Sequence, residues 1–337
     1  MKIAIITVSN KGQELAAELK DKLDSDSTII RCDLYHKNVK KHFPVLFEEY
    51  DAIIAVMASG ILIRSIAPLV ESKAKDPAVI NIDDNGNFAI STLSGHLGGA
   101  NKLAKKVADL IGATPVITTS TDVNSKLGID VMAKDLYLSI DNPKEILHFN
   151  KAILEGREIK LTVNPNRNFD YLFTYLNNNT LEINVSIYYS SKMDKDEIHV
   201  QLDEHEMTLK ERKIVVGLGC RRGKECEAIY DGIVKSLDDL KIPVSRVNML
   251  ASAEIKKDEA GMLELSSRLD IPISFVELDK LKLFHSSDVK KSEFVMSKFG
   301  IWGVCEPSAL IMAGYDSKLI YKKTSYDGVT VSVAVGK

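Results

Sequence analysis

Apolar and polar positions along the first third of the chain alternate between two periods. Lys2–Val8 is a β-branched, apolar run, and Gly12–Leu23 carries Leu15, Leu19 and Leu23 at helical spacing. Asp51–Met57 is a continuous apolar run of the kind found in a strand covered on both faces. Ala78–Ile82 and Phe88–Ile90 are strand-like and are joined through an Asn85-Gly86 step, a hairpin signal. A glycine-rich stretch then runs into a helix through Leu103, Val107 and Leu110, and Thr114–Thr119 is the next strand. This βα alternation predicts an α/β domain with a largely parallel sheet over residues 1–137.

The texture changes at about residue 138. Asn142-Pro143 opens a helix, Glu158–Val163 and Glu182–Tyr189 read as strands, and Asn177-Asn178-Asn179 reads as a loop. Ser190–Glu211 is dense in charge and reads as an exposed connector. Residues 138–211 are therefore assigned to a small α+β middle module. Lys213–Leu218 starts a third segment, 212–337, as another buried strand. A helix over Lys224–Leu240, a strand over Ser245–Leu250, a helix over Glu259–Leu269 and a strand over Ile273–Val276 follow. A short helix at Ser308–Ala313 and strands at Leu319–Tyr321 and Val329–Val335 close the chain. The expected fold is two α/β domains with mostly parallel sheets flanking the middle module.

The chain has 337 residues, 44 Lys+Arg against 47 Asp+Glu, 45% hydrophobic and 27% charged residues. These fractions are those of a folded globular protein. Near-neutral charge argues against a nucleic-acid binder, so any polyanionic ligand must be met by locally concentrated cations. No run approaches the roughly 20 apolar residues that cross a bilayer, and no secretory signal opens the chain. Cys32, Cys220, Cys226 and Cys305 are too few and scattered for a disulfide framework, so a cytoplasmic location is expected. Monomer and homodimer both stay open. Seven histidines never pair at i, i+4 and Cys220-x5-Cys226 is not a knuckle, so no metal site is expected.

Four clusters can carry chemistry. Gly217-Leu218-Gly219-Cys220-Arg221-Arg222-Gly223 invites a dinucleotide reading, but the third glycine falls at 223 where the fingerprint needs 222. What survives is a strand-to-helix turn with two forked cations, suited to carboxylate or phosphate. In Ser94-Gly95-His96-Leu97-Gly98-Gly99-Ala100-Asn101, small residues let backbone lie near a ligand, and His96 can exchange protons near neutral pH. Ser94 lacks the G-x-S-x-G elbow of a serine nucleophile, since Thr92 stands where glycine is needed. A helix N-cap accounts for Ser94 slightly better. In the third cluster, Leu250–Gly261, helix capping explains Asp258 and Glu259 but leaves Lys256 over. In the fourth, Gly300–Leu310, Glu306 stands before a helix with Pro307 in its first turn, where the dipole favours a carboxylate and hence a general base.

These clusters, in this order, resemble the CbiG family, the cobalt-precorrin-5A hydrolases of anaerobic cobalamin biosynthesis. The likeness also takes in Ala58-Ser59-Gly60-Ile61, Arg64-Ser65-Ile66-Ala67-Pro68-Leu69 and Val116-Ile117-Thr118-Thr119. One departure is Ala253-Glu254, where Ile-Asp is expected before the lysine pair. The resemblance implies an enzyme that opens the δ-lactone of its corrinoid substrate and expels the extruded meso carbon as acetaldehyde, giving cobalt-precorrin-5B. It implies no cofactor of the protein's own, because cobalt travels with the substrate. Such chemistry asks for a base, here His96 or Glu306, and for oxyanion donors, here the Ser94–Gly99 backbone. Arg64, Arg221, Arg222 and Lys256 would pair with peripheral carboxylates. Gly95, Gly98, Gly99, Asn101 and Gly219 would be further substrate-binding positions. The competing classes are a non-catalytic corrinoid- or anion-binding carrier and a nucleotide-dependent enzyme.

Overall fold

In the computed structural model, residues 1–72 and 75–336 are described. Lys73, Ala74 and Lys337, the last being the end of the expected third segment, lie outside the described residues. The chain divides into two compact units. One comprises Met1–Asp26 with Arg31–Lys210, and the other comprises Ser27–Ile30 with Glu211–Lys337.

The first unit opens with β1 (Lys2–Thr7), α1 (Asn10–Asp24), β2 (Arg31–His36), α2 (Val39–Glu49), β3 (Ala52–Val56) and α3 (Ser59–Ile66). It continues with β4 (Ala78–Ile82), β5 (Phe88–Leu93), α4 (Ala100–Ile111) and β6 (Thr114–Val116). Their sheet runs in the order β2-β1-β3-β4-β5-β6. All pairings are parallel except β4 with β5. The whole of β3 is buried, as its unbroken apolar run requires of a strand covered on both sides. β6 is shorter than expected, ending at Val116 with Pro115 tolerated at its exposed edge position.

The single antiparallel pairing decides where the histidine turn lies. Leu93 pairs with Val79 and Ala89 with Ile82, so β5 ends beside the start of β4. The turn after Leu93 therefore sits at the edge where β1, β3 and β4 begin. In open α/β sheets the carboxyl ends of the strands are the usual ligand crevice, and here the glycine turn occupies the opposite edge.

The unit then adds α5 (Ser120–Val123), α6 (Ile129–Asp135), β7 (Leu138–Ile140), α7 (Ile146–Leu154), β8 (Ile159–Val163), α8 (Asp170–Asn178), β9 (Val185–Tyr189), β10 (Glu197–Leu202) and β11 (His205–Glu211). The sheet order is β7-β11-β10-β8-β9. Two expectations fail here. Ser190–Glu211 is not a connector, for β10 lies between β11 and β8 at the middle of this sheet. Its charges face out, while Ile198, Val200, Leu202, Met207 and Leu209 alternate into the core. Asn177 and Asn178 are the last residues of α8 rather than a loop, and Asn179 caps it.

The second unit contains β12 (Ile214–Cys220), α9 (Cys226–Leu240), β13 (Met249–Ala253), α10 (Ala260–Leu269), β14 (Ile273–Val276), α11 (Leu278–Leu283), α12 (Glu293–Phe299), α13 (Cys305–Ala313), β15 (Lys318–Tyr326) and β16 (Val329–Val335). Its sheet order is β14-β13-β12-β16-β15, with β12, β13 and β14 parallel and β15 and β16 antiparallel. β13 begins four residues later than expected, because Val244–Arg246 is a 3₁₀ turn that buries Arg246. The strand therefore ends against Glu254, whose Oε1 accepts the Leu278 N–H at 2.7 Å and starts α11. Ser27 belongs to this unit through its carbonyl, which accepts the Lys322 N–H at 2.9 Å.

Phe149, fully buried on α7, fills the core between α6, α7 and the middle sheet. Its replacement by alanine is expected to cost about 3–5 kcal/mol in urea unfolding. A loss under about 1 kcal/mol would show that this core is not closely packed.

Candidate functional site

The turn between β5 and α4 is built from the chain's own close approaches. Ser94 takes a left-handed φ of 56°, and a Cβ on Gly98 would collide with the Ser94 side chain. A Cβ on Gly95 would fall 2.6 Å from Asn101 Oδ1. These glycines are needed for internal packing, not only for approach to a ligand. Gly99, also left-handed, lies against the Lys134 ammonium and forms the N-cap of α4.

His96 projects from this turn with 12% of its side chain exposed. Its Nε2 lies 2.9 Å from Asp122 Oδ2 and 3.0 Å from Thr121 Oγ1, while Nδ1 lies 3.2 Å from Asp130 Oδ2. A carboxylate at each ring nitrogen selects the doubly protonated imidazolium, which donates from both. The hydrogen bond to Asp130 foremost holds the pKa of His96 above its ordinary value, against the opposing effect of burial. Burial alone would raise the pKa of Asp130, but the His96 and Asn150 hydrogen bonds outweigh it and keep this carboxyl below its usual range. The Asp130 side chain is only 3% exposed, so its charge depends on these partners.

The supporting shell draws on β5 of the first sheet and on α7, which packs on the second. Asn150 on α7 donates to Asp130 Oδ1 at 2.9 Å and accepts the Ile129 N–H at 2.8 Å. Asn101 accepts from Ser91 Oγ at 2.7 Å and donates to Thr119 Oγ1 at 3.0 Å and Asp122 Oδ2 at 2.8 Å. Its polar atoms are thus spent on positioning Asp122, which departs from the expected direct role in binding substrate. Asp122, Asp130 and Thr121 were not singled out in the sequence. Each is an ordinary helix-start residue there, and only the fold brings them to the imidazole.

His96 borders a cavity of about 520 Å³ walled by the histidine turn, Thr119–Thr121 and one face of α7. That α7 face presents Leu147, Lys151 and Leu154. Ser94 lines the same space, and its buried Oγ has no hydrogen-bond partner. No Ser94–His96 hydrogen bond is present among the described residues; the hydroxyl at Nε2 belongs to Thr121. Among the described residues, the backbone N–H groups of Gly95, His96, Leu97 and Gly98 donate to no protein acceptor. Arg64 does not line this cavity. It is exposed on α3 and folds back, Nη1 donating to the Gly60 carbonyl at 3.0 Å.

In the second unit, the turn after β12 carries cations that differ in freedom. Arg222 pairs with Asp258 at 2.8 Å on the surface, and Lys224 with Asp327 at 2.9 Å. Lys256 Nζ lies 2.8 Å from Glu259 Oε1, both side chains largely buried. Glu259 Oε2 accepts the Gly223 N–H at 3.0 Å, which ties α10 to the turn. Against the upward push of burial, the Lys256 and Gly223 contacts hold the Glu259 pKa below its usual value. Arg221 is exposed, its N–H bound to the Gly328 carbonyl, and it has no carboxylate within ion-pair distance among the described residues. Gly219 sits within β12, where a Cβ would fall 2.6 Å from Thr330 Oγ1.

Glu306 departs from the expectation of a dipole-stabilised base. It is 1% exposed, and Oε2 and Oε1 accept the Lys290 and Lys323 N–H groups at 3.1 and 2.9 Å. Burial pushes its pKa up. It clamps the start of α13 to the loop at Lys290 and to β15. Gly217 is glycine because the Cys305 carbonyl of α13 occupies the space a Cβ would need.

An NMR titration of the His96 ring is expected to give a pKa above the ordinary 6.5. Asp130→Asn should lower it, because the first of the two acceptors becomes neutral. The stability drawn from this ion pair is complete below the unfolded value of 6.5 and is lost as pH rises through the raised folded value. A His96 pKa unmoved by Asp130→Asn would refute the assignment.

Comparison with known proteins places the chain. Residues 41–122 match the family model described as cobalamin synthesis G N-terminal, and residues 214–334 match cobalamin synthesis G C-terminus. A Methanocaldococcus jannaschii protein named "probable cobalt-precorrin-5A hydrolase" is 35% identical, with 99% of both chains covered. The cobalt-precorrin-5A hydrolase of Priestia megaterium is 29% identical over 98% of this chain and 94% of its own. That of Salmonella typhimurium is 30% identical over 86% and 83%. The crystal structure of a Sulfolobus solfataricus protein named "putative cobalamin biosynthesis protein G homolog" superposes with a TM-score of 0.62 at 28% identity, covering 100% of this chain and 97% of that one. With both family models matched and near-complete coverage of its relatives, the chain belongs to the cobalamin synthesis G family of cobalt-precorrin-5A hydrolases and serves cobalamin biosynthesis.

Proposed function

We propose that this protein hydrolyses the δ-lactone of cobalt-precorrin-5A and releases the extruded meso carbon as acetaldehyde, leaving cobalt-precorrin-5B. One observation carries the reading: an imidazole between two carboxylates, on the wall of a cavity whose turn offers unbonded N–H groups. The lactone-bearing edge of the macrocycle would enter this cavity. Leu147 and Leu154 would meet its apolar face, and Lys151 a peripheral carboxylate.

Water would attack the lactone carbonyl carbon and give its proton to Asp122. The turn N–H groups would hold the oxyanion. As the ring C–O bond breaks, His96 would pass a proton from its imidazolium to the departing oxygen, freeing the acetate and an alcohol. Neutral His96 would then take the alcohol proton. The C–C bond breaks, acetaldehyde leaves and the electron pair passes into the macrocycle, which restores the imidazolium. Positioned acid–base groups of this kind supply about 10²–10⁴-fold each.

Within the second unit, Arg221 is the cation of its turn with no ion-pair partner among the described residues, and we assign it to binding an anion there. Arg222 and Lys256 would serve the turn itself. The cobalt is read as the substrate's own. No helix among the described residues is long and apolar enough to cross a membrane. The four cysteines are free, and a reduced cytoplasm is the compartment we assign.

Anaerobic turnover of the authentic lactone should release acetaldehyde, and His96→Ala should cut the rate by about 10²-fold or more. The rate should fall as pH rises through the raised His96 pKa, and Asp130→Asn should move that fall to lower pH. Lys151→Ala should raise KM with little change in kcat. Tight corrinoid binding without acetaldehyde would make the protein a carrier instead, and undiminished turnover by His96→Ala would remove this mechanism.

A further inference from the structure

Away from this cavity, Glu145, His148 and His205 converge on the middle sheet. Glu145 ends the 3₁₀ turn Pro143–Glu145 and His148 lies in the first turn of α7, three residues on and hence on the same side. His205 opens β11 after the tight turn at Asp203, whose φ is 53°. His205 Nδ1 lies 2.8 Å from Glu145 Oε2. The His148 ring is stacked on that of His205, with centroids 4.0 Å apart and planes at 17°. One ligand atom from each of the three residues lies within 4.8 Å of the others.

A hydrogen bond between His205 and Glu145 accounts for two of these residues but not for the third. His148 is exposed, and among the described residues it makes no hydrogen bond or ion pair. Two imidazoles and one carboxylate are the donor set of a borderline divalent cation, not of Mg²⁺ or Ca²⁺, which prefer oxygen. Bonds of about 2.0–2.2 Å would draw the ligand atoms to roughly 3.3 Å apart, a contraction that exposed His148 can make by rotating its side chain.

We propose that Glu145, His148 and His205 form a binding site for a divalent transition ion such as Zn²⁺ or Co²⁺, with its remaining position open to water. The site is separate from the catalytic cavity. None of Glu145, His148 and His205 lines that cavity. An ion held there ties the start of α7 to the tip of the β10–β11 hairpin. It thereby braces from behind the helix that presents Asn150 to Asp130.

The test uses the full-length, tag-free protein stripped by chelator and titrated with CoCl₂ alone. Saturable ligand-field absorption in the visible is expected. His148→Ala and His205→Ala should each weaken binding by at least about tenfold, while His42→Ala should not. ZnCl₂ should raise the Tm of the unmodified protein and not that of the His148→Ala/His205→Ala double variant, whose fold is checked by circular dichroism. Absence of saturable absorption, or a Zn²⁺-induced shift that survives in a folded double variant, would overturn the site. Neither measurement uses a corrinoid, so the outcome is independent of the catalytic reading.

Discussion

The chemistry of the first unit depends on one constraint: a largely buried imidazole whose two nitrogens each face a carboxylate. One carboxylate on a buried histidine fixes a tautomer, whereas two fix a charge. Asp130 can remain ionised at 3% exposure only because His96 and Asn150 satisfy it. Removing any one member leaves a buried charge without its partner, which is why the surrounding shell is so fully bonded. Asn101 holds Asp122 from one side, while Asn150 holds Asp130 from α7 on the other. The imidazole is therefore carried by the seam between the two sheets of this unit rather than by either sheet alone.

That arrangement gives the middle sheet a purpose its polar sequence hides. Its helix α7 lends the site Asn150, Lys151 and two leucines, and its core keeps α7 in register through Phe149 and Ile153. Its charged hairpin, β10 and β11, lies at the centre of the sheet because alternate residues are apolar. In the second unit, the same economy of buried charge makes Glu259 and Glu306 structural. Each spends both carboxylate oxygens on the protein itself. This leaves Arg221 as the exposed cation of that turn that forms no ion pair among the described residues.

The α/β alternation, the buried strands β1, β3 and β12, the hairpin at Asn85-Gly86 and the four motif clusters were all legible in the sequence, because local period and turn chemistry express themselves over a few residues. The family resemblance was legible for the same reason, as ordered short motifs. What each motif does was not. Gly95 and Gly98 look like a ligand cradle but make room for Asn101 and Ser94. Glu306 looks like a base but accepts two backbone N–H groups. Asp122 and Asp130 pass as ordinary helix-start residues but set the charge of His96, and Arg222 and Lys256, expected to pair with substrate carboxylates, are paired within the protein. Secondary structure follows from neighbours a few residues apart, so composition and spacing suffice to read it. The protonation of a histidine and the freedom of an arginine follow from residues 26, 34 or 36 positions away, which only the folded chain brings within 3.2 Å.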